Sequence, residues 1–184
     1  MNSEFTAPER AKEILYREVH WRLGSPAFRN PSDAAPSPTI RPKSVNVTTV
    51  IRIAAALLLN GRQQLLLVRK RGTSAFMQPG GKINGGEQPL EALIRELNEE
   101  LGLVVAPEDA TFLGHCQAPA ANEPGYTVDC ALYRVEMKPG DPAVAAAEIE
   151  EAVWVSVAEA SELALAPLTR EVVLPLVRRY LLVD

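Results

Sequence analysis

The sequence predicts a single domain of the mixed class, α/β (α+β), with a mixed β-sheet lying between helices. Three observations carry this expectation. Of 184 residues, 47% are hydrophobic and 23% charged, enough apolar side chains for one ordinary globular core. Apolar runs of strand length are bounded by turn residues, as where Val47 to Leu59 meets Asn60-Gly61 and then Gln64 to Val68. Other stretches repeat apolar residues at helical spacing, and strands mixed with helices in this order pack as layers.

Residues 1–45 read as an N-terminal extension, and residues 46–184 as the domain. The extension is expected to hold a short helix from Pro8 to Leu23 and then an extended connector over residues 24–44. Prolines at 26, 31, 36, 38 and 42 each fix φ and remove a donor, so the connector cannot be regular. Val47 to Leu59 and Gln64 to Val68 are expected to pair as a hairpin through Asn60-Gly61. Glycines 80, 81, 85 and 86 predict a loop, and Gln88-Pro89 the start of a helix, where proline is tolerated in the first turn. Further strands are expected over Thr111 to Cys116, Thr127 to Val135 and Ala152 to Val155. Two helices, Val157 to Leu163 and Thr169 to Leu182, close the chain, the second kinked at Pro175.

Several classes are excluded or demoted. The longest apolar run, Ile53 to Leu59, falls far short of the roughly 18 residues a membrane-spanning helix needs. Met1 to Phe5 shows no secretory signal, so a cytoplasmic protein without membrane contact is expected. Cys116 and Cys130 form no CxxC pair, and neither a disulfide framework nor a zinc site is encoded. The net charge of −4 conceals a split: residues 1–80 carry +7 and residues 81–184 carry −11. Nucleic-acid binding through the basic half ranks last, because its charges are dispersed among apolar strands and prolines.

The most informative stretch runs from Gly81 to Leu103. At ~100° per residue, Leu90, Leu93, Ile94, Leu97 and Leu101 fall on one face of a helix, a stripe that faces the core. Glu96 and Glu100 lie beside that stripe, with Glu99 a little further round. Carboxylates at i, i+3 and i+4 repel one another, a cost that a solvated acidic face would absorb. Here the cluster follows a glycine loop that permits close backbone approach, and Arg95 sits within it as a counter-charge. Several oxygen ligands at one locus suit a hard divalent cation, Mg²⁺ or Mn²⁺, which would turn the repulsion into coordination.

Residues 81–103 match every fixed position of the pattern Gx5Ex7REUxEExGU, with U aliphatic, and Pro79-Gly80 completes a PGG entry. In this the sequence resembles the Nudix hydrolases, over the box itself and more loosely from about 46 to 182. The resemblance implies a Nudix-type α/β/α sandwich with a mixed β-sheet. It also implies metal-dependent hydrolysis of a nucleoside diphosphate linked to another moiety, by water attack at phosphorus. By the same resemblance Gly81, Glu96, Glu99 and Glu100 would be metal ligands, with Glu96 a ligand or the base. Arg95 and Glu87 would brace the loop, and Glu148, in the later run Glu148-Ile149-Glu150-Glu151, would be a further catalytic carboxylate. A homodimer is one arrangement the family offers.

The substrate is less legible. No acidic residue lies between 46 and 80, and of the basic residues Arg52, Arg69, Lys70 and Arg71 some are expected to face the substrate, with Arg52, Arg69 and Arg71 the candidates to bind a diphosphate. Arg69 and Arg71 would share a strand face if the second strand reaches that far, with Lys70 opposite. Phe76, Tyr126 and Trp154 are candidates to stack on a base. Pro119 lies 16 residues after Leu103, as in ADP-ribose pyrophosphatases. A nucleoside triphosphate, ADP-ribose and a nucleotide sugar all remain open. The competing reading is a Nudix-fold nucleotide sensor that binds without cleaving, and it has no need to keep all three box carboxylates.

Overall fold

A computed structural model describes residues 49–135, 137 and 143–181, and the expected helix and connector of the extension lie outside them. Seven strands run in chain order: β1 (Thr49–Leu58), β2 (Leu65–Lys70), β3 (Phe76–Met77), β4 (Gly80–Lys82), β5 (Ala110–Pro119), β6 (Tyr126–Val135) and β7 (Ile149–Val155). Helix α1 (Pro89–Leu101) follows β4, and β7 leads into the single turn α2 (Val157–Ala160). A wide turn over Thr169–Val173 then enters α3 (Leu174–Leu181).

The strands form two sheets, one in the order β4-β1-β6-β5 and the other β3-β2-β7. The first is mixed, since β1 runs parallel to β6 and antiparallel to β4. Strand β1 is central and buried on both faces, and its alternation explains the layering. Ala54, Ala56 and Leu58 pack with Leu93, Leu97 and Leu101 of α1. Ala55 and Leu57 join Cys130, Leu132, Val173, Leu176 and Val177 on the opposite side. Leu66 and Val68 of β2 divide from Leu65 and Leu67 in the same way. The strands therefore form the middle layer between α1 and the C-terminal helix, the expected α/β/α arrangement. Among the described residues no helix is long and apolar enough to cross a membrane.

Two local expectations are corrected. Asn60-Gly61 does turn the chain, and Asn60 Oδ1 accepts from the backbone N–H groups of Arg62 and Gln64 at 2.9 and 3.0 Å. Yet β1 and β2 share only the bridge Leu59–Leu65 before parting into different sheets, so the opening hairpin is not formed. The glycines at 80 and 81 lie in β4, paired with Ala55 and Ala54 of β1, and not in an irregular loop. At the expected kink, Pro175 follows closely on the wide turn over Thr169–Val173. Its ring would press on the carbonyl four residues back, and in the wide turn Leu174 N–H reaches five residues back to Thr169 O instead.

Candidate active site

Helix α1 is fixed at both ends before any chemistry is asked of it. At its start Glu91 Oε2 accepts from Gln88 N–H at 2.9 Å, and Pro89 occupies the first turn, where its missing N–H costs nothing. At its end Gly102 takes φ 67°, letting its own N–H reach Asn98 O at 2.9 Å and that of Leu103 reach Leu97 O at 3.2 Å. Burying Leu93, Leu97 and Leu101 stabilises the helix against the sheet by roughly 1.5–3 kcal/mol each. The buried face is Ala92, Leu93, Leu97, Glu100 and Leu101, so Glu100 belongs to the stripe itself and not to its border.

Glu100 is 1% exposed. One oxygen, Oε2, accepts from Gly80 N–H at 2.9 Å. The other, Oε1, lies 3.3 Å from Lys70 Nζ, an ion-pair distance without hydrogen-bond geometry, and it has no hydrogen-bond partner. Burial pushes the Glu100 carboxyl up to about 7, although the Gly80 N–H and Lys70 both act to lower it. Burial also opposes the charge on Lys70, but its hydrogen bond to Glu148 and the Glu100 carboxylate outweigh that, holding it above the usual lysine value.

Glu96 sits directly beneath β4. A Cβ on Gly81 would lie 2.3 Å from Glu96 Cδ, so glycine is required here for its missing side chain. Gly80 is constrained more severely: its φ is +134°, and a Cβ would stand 2.2 Å from Ala54 O. Arg95 then ties loop to helix. Its Nε and Nη2 donate to the two oxygens of Glu87 at 2.9 and 3.0 Å, Nη2 also donates to Lys82 O at 3.1 Å, and Nη1 donates to Glu96 Oε1 at 2.7 Å. Glu99, whose side chain is 55% exposed, receives only a long 3.5 Å contact from Nη1. The Arg95 guanidinium holds the Glu87 carboxyl below the usual carboxylate range, helped by the Asn84 N–H.

The later carboxylate arrives by a loop docked on the end of α1. Ala146 N–H donates to Glu100 O at 2.8 Å, and Ala147 takes φ 49°, an uncommon conformation outside glycine. Next in the chain, Glu148 accepts from Lys70 Nζ through Oε1, so one lysine stands between Glu100 and Glu148. Lys70, Glu96 and Glu148 all line a cleft of about 370 Å³ whose remaining wall is largely aliphatic, including Ile51, Ile53 and Val128. Among the described residues no three acidic, His or Cys side chains are gathered closely enough to form a ready metal cluster; Arg95 pairs with Glu96 and Lys70 with Glu100.

The arginines proposed for the substrate stand elsewhere. Arg52 is exposed and alternates on β1 with Ile51 and Ile53, which line the cleft, so it faces away. Arg69 is engaged by Glu150 and Glu151 at 2.7 and 2.9 Å, and Arg71 lies beyond the end of β2. The register slips between Arg69 and Lys70, and it is Lys70 that reaches the cleft. Neither Phe76, which is in the core, nor Tyr126 or Trp154 lines the cleft, whereas Pro119 does. Sequence reasoning named Lys70 within the basic run but preferred its neighbours, and it missed Gln78, a cleft residue only 4% exposed.

A family model described as the NUDIX domain matches residues 49–176, which takes in both sheets, α1 and the cleft. The chain belongs to the NUDIX domain family. Over 59 residues it is 41% identical to an 8-oxo-dGTP diphosphatase of Haemophilus influenzae, covering 30% of this chain and 43% of that protein. Over 47 residues it is 51% identical to an RNA pyrophosphohydrolase of a Marinomonas species, covering 26% of this chain and 29% of that protein. The matched region thus spans less than half the length of these curated relatives. In structure, the Nudix fold is similar to a MutT protein of Methanosarcina mazei at TM-score 0.56 and 22% identity, covering 73% of this chain and 94% of that one.

Proposed function

We propose that this Nudix chain is a divalent-metal-dependent pyrophosphohydrolase. Its substrate would be a nucleoside diphosphate linked to another moiety, as in a nucleoside triphosphate, ADP-ribose or a nucleotide sugar. One observation carries the reading: Glu100 is a buried carboxylate with one oxygen that has no hydrogen bond and only the Lys70 ion pair, on the same helix as Glu96, whose carboxylate is packed against glycine backbone at the cleft. A buried carboxylate left so poorly paired is costly unless a cation completes it. The donor set, all oxygen, fits Mg²⁺ or Mn²⁺, and Glu96, Glu99, Glu100 and the Gly81 carbonyl are the residues that would hold it. Such an ion supplies charge neutralisation, polarisation of the phosphoryl group and a lowered pKa for bound water.

The chain's own residues have separable tasks. Arg95 and Glu87 hold the glycine loop against α1, so Glu96 is presented in one orientation. Glu148 stands on the opposite side of Lys70 from Glu100, where its carboxylate can accept a proton from a water in the cleft. Lys70 supplies a positive charge in the cleft wall, for which a substrate phosphate is an alternative partner to the two glutamates. The aliphatic wall suits the nucleoside end.

The names of the relatives, an 8-oxo-dGTP diphosphatase and RNA pyrophosphohydrolases, support phosphoric anhydride hydrolysis and leave the substrate open. The deciding experiment is phosphate or nucleotide release with Mg²⁺ or Mn²⁺ over a panel of nucleoside triphosphates, 8-oxo-dGTP, ADP-ribose and nucleotide sugars. Turnover of one member is the expected result. Tight binding of a member with no turnover of any would replace the enzyme by the sensor reading.

A further inference from the structure

Lys82 and Glu123 both line the cleft, from two different elements, and neither has a part in the proposed reaction. Lys82 ends β4, where it pairs with Ile53 of β1 and shares the cleft face with it. Glu123 belongs to the short connection between β5 and β6, beside the cleft residues Ala121 and Asn122. Each backbone is held independently of the other. Arg95 Nη2 donates to Lys82 O at 3.1 Å, and Tyr126 N–H donates to Glu123 O at 3.1 Å. The side chains can therefore change partners without moving either strand. Lys82 Nζ stands 3.6 Å from Glu123 Oε1, beyond hydrogen-bond length, and the two side chains are 68% and 41% exposed. An exposed pair at that distance contributes little to stability. Lys70, also in the lining, differs: its side chain is 23% exposed and lies between Glu100 and Glu148. Of the two ammonium groups, Lys82 gives up its partner at the lower cost.

We infer that Lys82 is a substrate-binding residue that takes a phosphate of the anhydride, and that Glu123 is the resting partner it leaves, a positioning residue that sets how tightly the cleft holds an anion. This rests on the proposed reading that the cleft takes a phosphoric anhydride. Lysine binds phosphate as a point charge on a flexible stem, so the exchange requires no fixed fork geometry. A phosphate brings several oxygens and more negative charge than the one carboxylate, and it wins the ammonium for that reason. In the free chain Glu123 competes with the incoming ligand for Lys82. Removing the lysine should therefore weaken anion binding, whereas removing the glutamate should strengthen it. The two substitutions are coupled, because both act through one ammonium group.

The test is equilibrium binding of methylenediphosphonate, a P–C–P analogue of the anhydride that resists hydrolysis. It is measured by calorimetry on the full chain with Mg²⁺ present, at about 0.15 M salt, where distant charges are largely screened. Lys82→Gln is expected to weaken binding by about fivefold or more, and Glu123→Gln to tighten it by about two- to fivefold. In the double variant the gain should vanish, leaving binding within about 1.5-fold of Lys82→Gln alone. Glu150→Gln removes the same charge outside the cleft lining and should bind as wild type does. Both side chains are exposed, so thermal midpoints should stay close to wild type and confirm the fold. Unchanged binding in Lys82→Gln, a Glu123→Gln gain that survives in the double variant, or no binding by the wild-type chain would overturn the inference. Binding with the expected signs but no turnover of any nucleotide would count against the proposed reaction alone.

Discussion

The chain has two runs of glutamate, Glu96 to Glu100 in α1 and Glu148 to Glu151 at the start of β7, alike in composition and opposite in state. In the first, Glu100 is driven into the core with one oxygen lacking a hydrogen bond, and Glu96 is pressed against Gly81. In the second, Glu150 and Glu151 are about half exposed and share one ion-pair partner, Arg69, at the surface. Acidic clustering therefore does not distinguish a site from a solvated face. The difference is whether the fold has removed water from the carboxylates without replacing its hydrogen bonds. Glu148 is the exception in its run, because the docked loop and the positive φ of Ala147 carry it to Lys70 and the cleft.

The largest effect expected from this contrast is on turnover. Glu96→Gln and Glu100→Gln should each lower kcat by about 10²–10⁴-fold while the leucine stripe keeps the helix folded, and Glu151→Gln should leave kcat unchanged. Wild-type turnover in either box variant would break the comparison. Glu148→Gln places the exception: a loss near that of Glu96→Gln joins it to the mechanism, and full activity removes it.

Gly81→Ala separates catalysis from stability. The new Cβ meets a side-chain carboxylate, which can yield, so the thermal midpoint should fall little. Moving Glu96 by an ångström, however, should cost turnover on the order of 10²-fold. Gly80→Ala meets the backbone of Ala54 instead and should chiefly unfold the chain. A Gly81→Ala protein of normal activity would show that the close approach of β4 to Glu96 is packing alone.

A smaller effect lies in the metal-free protein. The Glu100 carboxyl titrates near 7 when folded and near 4.5 in the unfolded chain. As pH rises between those values the unfolded state releases a proton that the native state keeps, so this residue lowers stability progressively across the window. Glu100→Gln removes the titration. In EDTA it should match wild type at pH 4.5 and exceed it at pH 8 by about 1 kcal/mol, part of the gain being offset by the lost partner of Lys70. Denaturant unfolding at the two pH values measures it, and Glu151→Gln provides the exposed control. A variant less stable than wild type at pH 8 would mean that Lys70 compensates Glu100 fully.

The box was legible because it is local. A helix period, a glycine entry and a carboxylate spacing fix α1, its caps and the burial of Leu93, Leu97 and Leu101 without reference to the rest of the chain. What could not be read depends on partners distant in sequence. Asn60-Gly61 specifies a turn, but whether the flanking strands pair is decided by β6 and β7, which take β1 and β2 into separate sheets. Likewise the irregularity beside Arg69 lies in β7, where the extra residue Glu150 lets both Glu150 and Glu151 meet Arg69, a partnership distant in sequence, while Lys70 keeps the parity of Leu66 and Val68 and faces Glu100. Gln78 carried a faint signal as the one polar residue between Ala75 and Pro79, and only the fold gives it Thr169.

The smallest effect tests the inert half of the comparison. Arg69 donates to Glu150 and Glu151 and lies 5.7 Å from the centre of the Phe76 ring, at the junction of β2, β3 and β7. Were it a substrate residue, Arg69→Ala would raise KM. In this structure its donors are already taken by the exposed glutamates, so the variant should keep both KM and kcat and show only a slight fall in the thermal midpoint. Because the pairs are open to solvent, that fall should shrink further near 1 M salt, where the Debye length is about 3 Å. Loss of Arg69 also frees two glutamates near Glu148, but neither lines the cleft, so no gain in metal affinity is expected. A raised KM with an unchanged midpoint would return Arg69 to the substrate and would make the β7 run part of the site after all.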